Sequence, residues 1–185
     1  MILSILVCTL PERSEIFQKL FIYLQSICPM EARNATVEII YHEWDRSKTT
    51  GEKRNELIAA ATGKYIVFLD DDDWVPEYYI TEILKAAESE PDVITFNGYM
   101  TTDGAQRVDF KLRLGEKYEA RGGIYYRFPN HIVPMKRELV KNVKFEHITL
   151  GEDYKWAKQI NDLGLLKTEV VIDKEMYHYQ FISKK

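Results

Sequence analysis

Four consecutive carboxylates, Asp70, Asp71, Asp72 and Asp73, follow directly on the apolar run Tyr65-Ile66-Val67-Phe68-Leu69. Like charges held this close repel one another, and solvation relieves only part of that cost. A divalent cation removes it. Hard oxygen ligands select Mg²⁺ or Mn²⁺ over zinc, and no Cys or His cluster in the sequence competes for the role. A cap for the helix expected at Pro76 needs one carboxylate, so four exceed what a solvated acidic turn requires.

A diphosphate bridged through the metal is one ligand that such a site leaves open. The chain has neither a Gly-x-x-x-x-Gly-Lys-Ser/Thr loop nor a Gly-x-Gly-x-x-Gly turn, so a diphosphate would be bridged through the metal and not cradled by glycines. Arg13, after the first apolar run, and Lys53 and Arg54, at a helix start, are the cations suited to it. A helix N-terminus beside basic residues is a favourable phosphate site.

The elements that must position these groups alternate along the first half. Ile2 to Val7 is a short apolar run of strand length. From Ile16 the spacing of Phe17, Leu20, Phe21 and Leu24 turns helical. Thr36 to Tyr41 returns to β-branched residues, and Thr49 with Glu52 has the spacing of a capping box that opens a helix. Gly63 is expected to close that helix before the strand ending at Leu69, whose continuous apolar character suits a central position covered on both faces. Pro76 suits the first turn of the next helix, with Asp92 to Phe96 as another strand. This alternation predicts an α/β sandwich with a mainly parallel sheet flanked by helices. In such sheets ligands bind beyond the carboxyl ends of the strands, where the acidic run falls. In the second half, Arg107 to Arg121 reads as a hairpin or flap. Thr149 and Glu152 offer a second capping box, and Leu166 to Ile172 reads as a late strand.

The 185 residues suit one domain, 1–185, with 1–100 as a donor half and 101–185 as an acceptor half. A net charge of −4 gives no bulk attraction to nucleic acid or anionic membrane. Cys8 and Cys28 read as small buried thiols. The N-terminus reads as a strand without a basic leader, and the helix from Ile16 is too short and too polar to span a bilayer, so a cytoplasmic location is expected.

The stretch Gly51-Glu52-Lys53-Arg54-Asn55 with Ala60-Ala61-Thr62-Gly63-Lys64-Tyr65-Ile66-Val67-Phe68-Leu69-Asp70-Asp71-Asp72-Asp73-Trp74 and Pro76 resembles the family 2 glycosyltransferases of the GT-A fold. Ser4 to Thr9, followed by Pro11-Glu12-Arg13, is similar to that family's first strand and nucleotide-binding turn. Lys136-Arg137-Glu138-Leu139, Phe145 and Gly151-Glu152-Asp153-Tyr154 resemble its acceptor-side region. The three matches fall in order. The resemblance implies a metal-dependent enzyme with a nucleoside-diphosphate sugar as donor, a UDP-sugar favoured. Asp70 and Asp72 would be the Asp-x-Asp pair, Asp72 binding Mn²⁺ or Mg²⁺ and Asp70 nearer the ribose. Thr9, Pro11, Glu12, Arg13, Lys53, Arg54 and Asp71 would line the donor site, with Asp73 near the sugar. Asp153 would be the general base of a single displacement with inversion. A helix N-terminus suits such a carboxylate.

The chain departs from the family after its second strand, where Glu43 or Asp45 would have to replace the usual acidic contacts to base and ribose. His178, in Tyr177-His178-Tyr179, could be a third metal ligand or a satisfied tail histidine. Rival readings are a nucleotide-sugar-binding protein without turnover and an Asp-x-Asp phosphatase. Against the latter stands the bulky Trp74 after an internal strand. A saccharide or lipid-linked sugar is the favoured acceptor, with a modified nucleic acid also open. Trp44, Trp74 and Trp156 could stack on sugars or fill a core, and the helix from Ile16 could support a homodimer.

Overall fold

The computed structural model describes residues 1–33, 35–43 and 47–183, the side chains of His42 and Glu43 excepted. Trp44 and Asp45 therefore lie outside the described residues. Strands β1 (Leu3–Thr9), β2 (Val37–Glu43) and β3 (Tyr65–Phe68) pair parallel, with β1 in the middle. The short β8 (Met135–Lys136) runs antiparallel between β3 and β4 (Val93–Thr102), so β4 keeps the direction of β3. Strand β9 (Glu169–Phe181) joins β4 in parallel. Beyond β4, β5 (Arg107–Leu112), β7 (Ile124–Arg127) and β6 (Glu119–Arg121) extend the sheet with mixed pairings. The expected α/β architecture is present, and its one mixed sheet keeps a parallel core.

Every residue of β3 is buried, as its unbroken apolar sequence requires of a strand covered on both faces. Helix α1 (Ser14–Ile27) turns Phe17, Leu20 and Leu24 into the core, and Phe17 and Phe21 meet Tyr41 of β2. Helix α2 (Thr50–Ala60) packs on β1 and β2. Its capping box is complete. The Thr49 hydroxyl accepts from the Glu52 N–H at 3.3 Å, and the Glu52 carboxylate accepts from the Thr49 N–H at 2.8 Å. Helix α3 (Tyr79–Ala87) packs on β4 and β9, the short α4 (Arg137–Val140) follows β8, and α5 (Glu152–Asp162) lies beside α2.

Three local expectations are corrected. Gly63 does not close α2 in a left-handed turn; Ala61 ends the helix in extended geometry. Gly63 instead passes so close to β1 that a Cβ there would lie 2.7 Å from the Ser4 nitrogen. Pro76 lies ahead of α3 and not in its first turn, its carbonyl accepting from the Tyr79 N–H at 3.0 Å. The second capping box does not form. Gly151, with φ of 78°, is the N-cap of α5, and it frees the Glu152 carboxylate to reach Arg54. The late strand is also longer than expected, and its second half reaches the acidic turn.

Candidate active site

The acidic run is a tight turn at the end of β3, in which the Asp73 N–H donates to the Asp70 carbonyl at 3.1 Å. Its four carboxylates separate into different environments. Asp70 accepts from Arg54 Nη2 at 3.0 Å, while Arg54 Nε reaches Glu152 at 3.3 Å. The Arg54 guanidinium is buried over the rings of Phe68 and Phe145. Burial alone would raise the Asp70 carboxyl, but the Arg54 charge and the neighbouring His131 hold it well below the usual carboxylate range. Burial raises Glu152 in spite of the same arginine.

Asp71 and Asp72 share Arg13, whose Nη2 lies 2.5 Å from Asp71 and 2.9 Å from Asp72. Arg13 is brought there by the 3₁₀ turn Pro11–Arg13 that follows β1, on which Pro11 and Glu12 are exposed. Burial pushes the Asp71 carboxyl up, and its Oδ2 has no hydrogen-bond partner. Asp73 is almost wholly buried. It accepts from the Tyr177 hydroxyl at 2.7 Å and from the Gln180 N–H at 2.8 Å. Burial, with the Asp70 charge next, pushes the Asp73 carboxyl up to about 8. Strand β9 thus clamps the turn, since Gln180 also donates to the Asp72 carbonyl at 2.9 Å.

Two hollows open beside this turn. The smaller, about 140 Å³, lies at the end of β1 and is lined by Cys8, Thr9, Arg13, Thr50, Lys53 and Asp71. It gathers most of the residues expected around a diphosphate. The larger, about 250 Å³, has Asp70 and Asp73 on its lining together with Asp153, at the start of α5. Asn130, His131, Arg127 and Tyr179 also line it.

His131 lies between the two sets of carboxylates, with Nε2 at 3.6 Å from Asp70 and Nδ1 at 3.7 Å from Asp153. His131 does not emerge from the spacing of residues in the sequence and is brought in by a distant segment without a local motif, whereas Tyr177 belongs to the Tyr177-His178-Tyr179 segment and is brought in by β9, a role for which its spacing gives no signal. Tyr154, next to Asp153 in sequence, and Tyr118 are exposed and meet edge to face, 5.1 Å between centroids. The Tyr118 hydroxyl accepts from Asn130 at 3.2 Å.

His178 is not brought to the carboxylates. Its ring stacks on Tyr99 at 4.4 Å and its Nε2 pairs with the Thr101 hydroxyl at 2.7 Å. Its backbone forms a two-way bridge with Trp74. Among the described residues no group of three or more His, Cys, Asp or Glu side chains could hold a metal ion. A cage made wholly of protein is therefore absent from that part of the chain. Mg²⁺, and similarly Mn²⁺, needs only one or two carboxylates when substrate phosphates supply further oxygens. Half-exposed Asp72, with Arg13 as a displaceable partner, and the unpartnered oxygen of Asp71 fit that mode. Trp156 is a core residue stacked on Phe145, and Trp74 stacks on Tyr23. Both cysteines are free thiols, Cys28 buried and Cys8 half-buried, and burial pushes the Cys8 thiol up to about 12. No helix among the described residues is long and apolar enough to cross a membrane.

The model of glycosyl transferase family 2 matches residues 24–148, more than half of the chain. A stretch of 47 residues is 40% identical to EpsH of Bacillus subtilis (strain 168), a glycosyltransferase by assignment. That stretch is 25% of this chain and 14% of EpsH. The fold is similar to that of S. aureus TarS 1–349 in complex with UDP-GlcNAc, with a TM-score of 0.67 at 14% identity. The match covers 100% of this chain and 60% of that one. TarS 1–349 in complex with UDP gives the same TM-score at 15% identity, with 97% and 60% covered. The chain thus spans only part of the length of the relatives it resembles. On the family match over most of its length, the chain belongs to glycosyl transferase family 2.

Proposed function

We propose that the chain transfers a sugar from a nucleoside-diphosphate sugar, a UDP-sugar in the first place, to an acceptor hydroxyl with inversion at the anomeric carbon. The observation that carries this reading is the larger hollow, which sets Asp70 and Asp73 of the donor turn and Asp153 of α5 around one space. Its volume, about 250 Å³, suits a single sugar better than a long chain. The UDP and UDP-GlcNAc complexes of TarS support uridine as the base. Residues 1–100 would form the donor half and 101–185 the acceptor half.

In this reading the diphosphate occupies the smaller hollow, where Arg13 and Lys53 supply positive charge and α2 presents its N-terminus. A Mn²⁺ or Mg²⁺ ion held by Asp72, with Asp71 or Asp70 beside it, would supply Lewis-acid stabilisation of the leaving diphosphate. Asp70, fixed by Arg54, orients the donor, and Asp73 lies next to the transferred sugar. The acceptor oxygen attacks the anomeric carbon from the face opposite the diphosphate. The bond from that carbon to the phosphate oxygen breaks, and its electron pair leaves with the diphosphate. Asp153 takes the proton released by the acceptor hydroxyl. The exposed Tyr118 and Tyr154 rings beside Asp153 favour a saccharide as acceptor, since sugar rings lie well on aromatic faces.

The test is UDP release from a panel of UDP-sugars, with mono- and oligosaccharides as acceptors. Turnover by the chain and a loss of about 10²–10⁴-fold in Asp153→Asn are expected for removal of a general base. Turnover unchanged in that variant would remove Asp153 from the role.

A further inference from the structure

We propose that His131 is a positioning residue that fixes the acceptor base Asp153 relative to the donor carboxylate Asp70, an inference that rests on the transfer reading above. His131 is only 6% exposed, yet neither ring nitrogen makes a hydrogen bond. Two buried, unpaired ring nitrogens are costly, and an apolar ring would fill the same space without that cost. Hydrogen bonds hold the backbone of this segment in place. The His131 carbonyl accepts from the Phe68 N–H at 2.9 Å, two residues before Asp70. On either side, the Asn130 side chain accepts from the Ile132 N–H at 3.2 Å and the Asn130 carbonyl from the Val133 N–H at 3.2 Å.

From this fixed point each nitrogen faces one carboxylate oxygen, Nε2 to Asp70 Oδ2 at 3.6 Å and Nδ1 to Asp153 Oδ2 at 3.7 Å. Both separations exceed hydrogen-bond length by roughly half an ångström. Catalytic hydrogen bonds commonly begin long and tighten when substrate is bound.

The pairs form a circuit. Arg54 bonds Asp70 and Glu152, His131 faces Asp70 and Asp153, and the circuit closes through the peptide bond between Glu152 and Asp153. The end of β3, α2, the segment before β8 and the first turn of α5 are thereby linked. Asp153 has no other ion-pair partner among the described residues, so His131 is what orients it. With Oδ2 facing the imidazole, Oδ1 is left to take the acceptor proton. A base oriented by a third group is the recurring arrangement for an activated nucleophile.

His131→Phe keeps the ring and removes both nitrogens, while His131→Gln keeps an amide able to reach one carboxylate. UDP affinity is measured by calorimetry with Mn²⁺ present, folding by urea denaturation, and turnover by UDP release from the UDP-sugar the wild type uses. In His131→Phe, kcat is expected to fall about 100-fold while UDP affinity and the urea midpoint stay close to wild type. His131→Gln is expected to recover part of that loss. Adding Asp153→Asn to His131→Phe should cost far less than Asp153→Asn alone, because residues acting as a unit are not additive. A kcat within twofold of wild type in His131→Phe overturns the proposal and leaves the transfer reading standing. So does a parallel loss of kcat, UDP affinity and stability in both variants. A wild-type chain that neither binds UDP nor releases it from any UDP-sugar brings down the transfer reading, and this proposal with it.

Discussion

Arg54 donates to Asp70 across 3.0 Å from a position that is itself only 4% exposed. A buried guanidinium is tolerated because two carboxylates and two aromatic rings surround it. The same contact fixes the first acid of the acidic turn to α2, so a structural ion pair and a carboxylate on the lining of the larger hollow are one feature.

Removing that cation should therefore damage folding before chemistry. Arg54→Met leaves Asp70 and Glu152 without their shared counter-ion, and a destabilisation of about 3–5 kcal/mol is expected for breaking a buried pair. Arg54→Lys should recover only part of it, since an ammonium does not present the fork that spans both carboxylates. Urea denaturation of the three proteins checks this. A loss below about 1 kcal/mol in Arg54→Met would place the pair with ordinary surface salt bridges.

Asp73 gives stability a pH dependence of determinate sign. Its carboxyl is raised from an ordinary 3.8 to about 8, so the folded chain holds a proton that the unfolded chain releases between those values. The resulting contribution to stability is complete below about pH 4 and lost as the pH rises through 8. Asp70, lowered in the fold, acts in the opposite sense, with stability present above its unfolded value and lost on acidification. Asp73→Asn should flatten the decline of the urea midpoint between pH 6 and pH 9. An equal decline in both proteins would contradict it.

Gly51 is a steric requirement at the start of α2. A Cβ there would lie 1.8 Å from the Glu146 carbonyl oxygen, and the Gly51 N–H donates to the Ile148 carbonyl at 3.0 Å. Gly51→Ala must push α2 away from the segment leading into α5, and a cost of about 1–3 kcal/mol is expected for such overpacking. Because α2 carries Lys53 and Arg54, UDP affinity should fall with stability. Unchanged stability in this variant would show that the 146–148 segment yields freely.

The proposed acceptor side is tested at Tyr154. Tyr154→Ala removes one of the two exposed rings beside Asp153, and its loss is expected to raise the saccharide KM about fivefold, as for one aromatic contact, with UDP affinity unchanged. A rise in KM for the donor instead would assign the ring to the donor site.

Much of residues 1–100 is legible because its signals are local. The unbroken apolar run of β3, the capping box of Thr49 and Glu52, and the acidic turn each depend on neighbours in sequence, and each is present. Elsewhere long-range packing overrides the local rule. Gly63 serves close approach to β1 and not a helix end. Glu152 pairs with Arg54, far away in sequence, in preference to capping its own helix. His131 was invisible for the same reason, since its two carboxylate neighbours come from β3 and α5. His178 showed the converse, a conspicuous Tyr-His-Tyr segment whose ring is taken up by Tyr99 and Thr101.

The most direct measurement is a calorimetric titration of UDP into the chain with Mn²⁺ and again with EDTA, with Asp72→Asn in parallel. Binding that needs the metal and is lost in Asp72→Asn is the expected result, and it would establish the acidic turn as the donor site. Absence of UDP binding with Mn²⁺ present, or equal binding by Asp72→Asn with and without the metal, would contradict a metal-dependent nucleotide-sugar site at this turn.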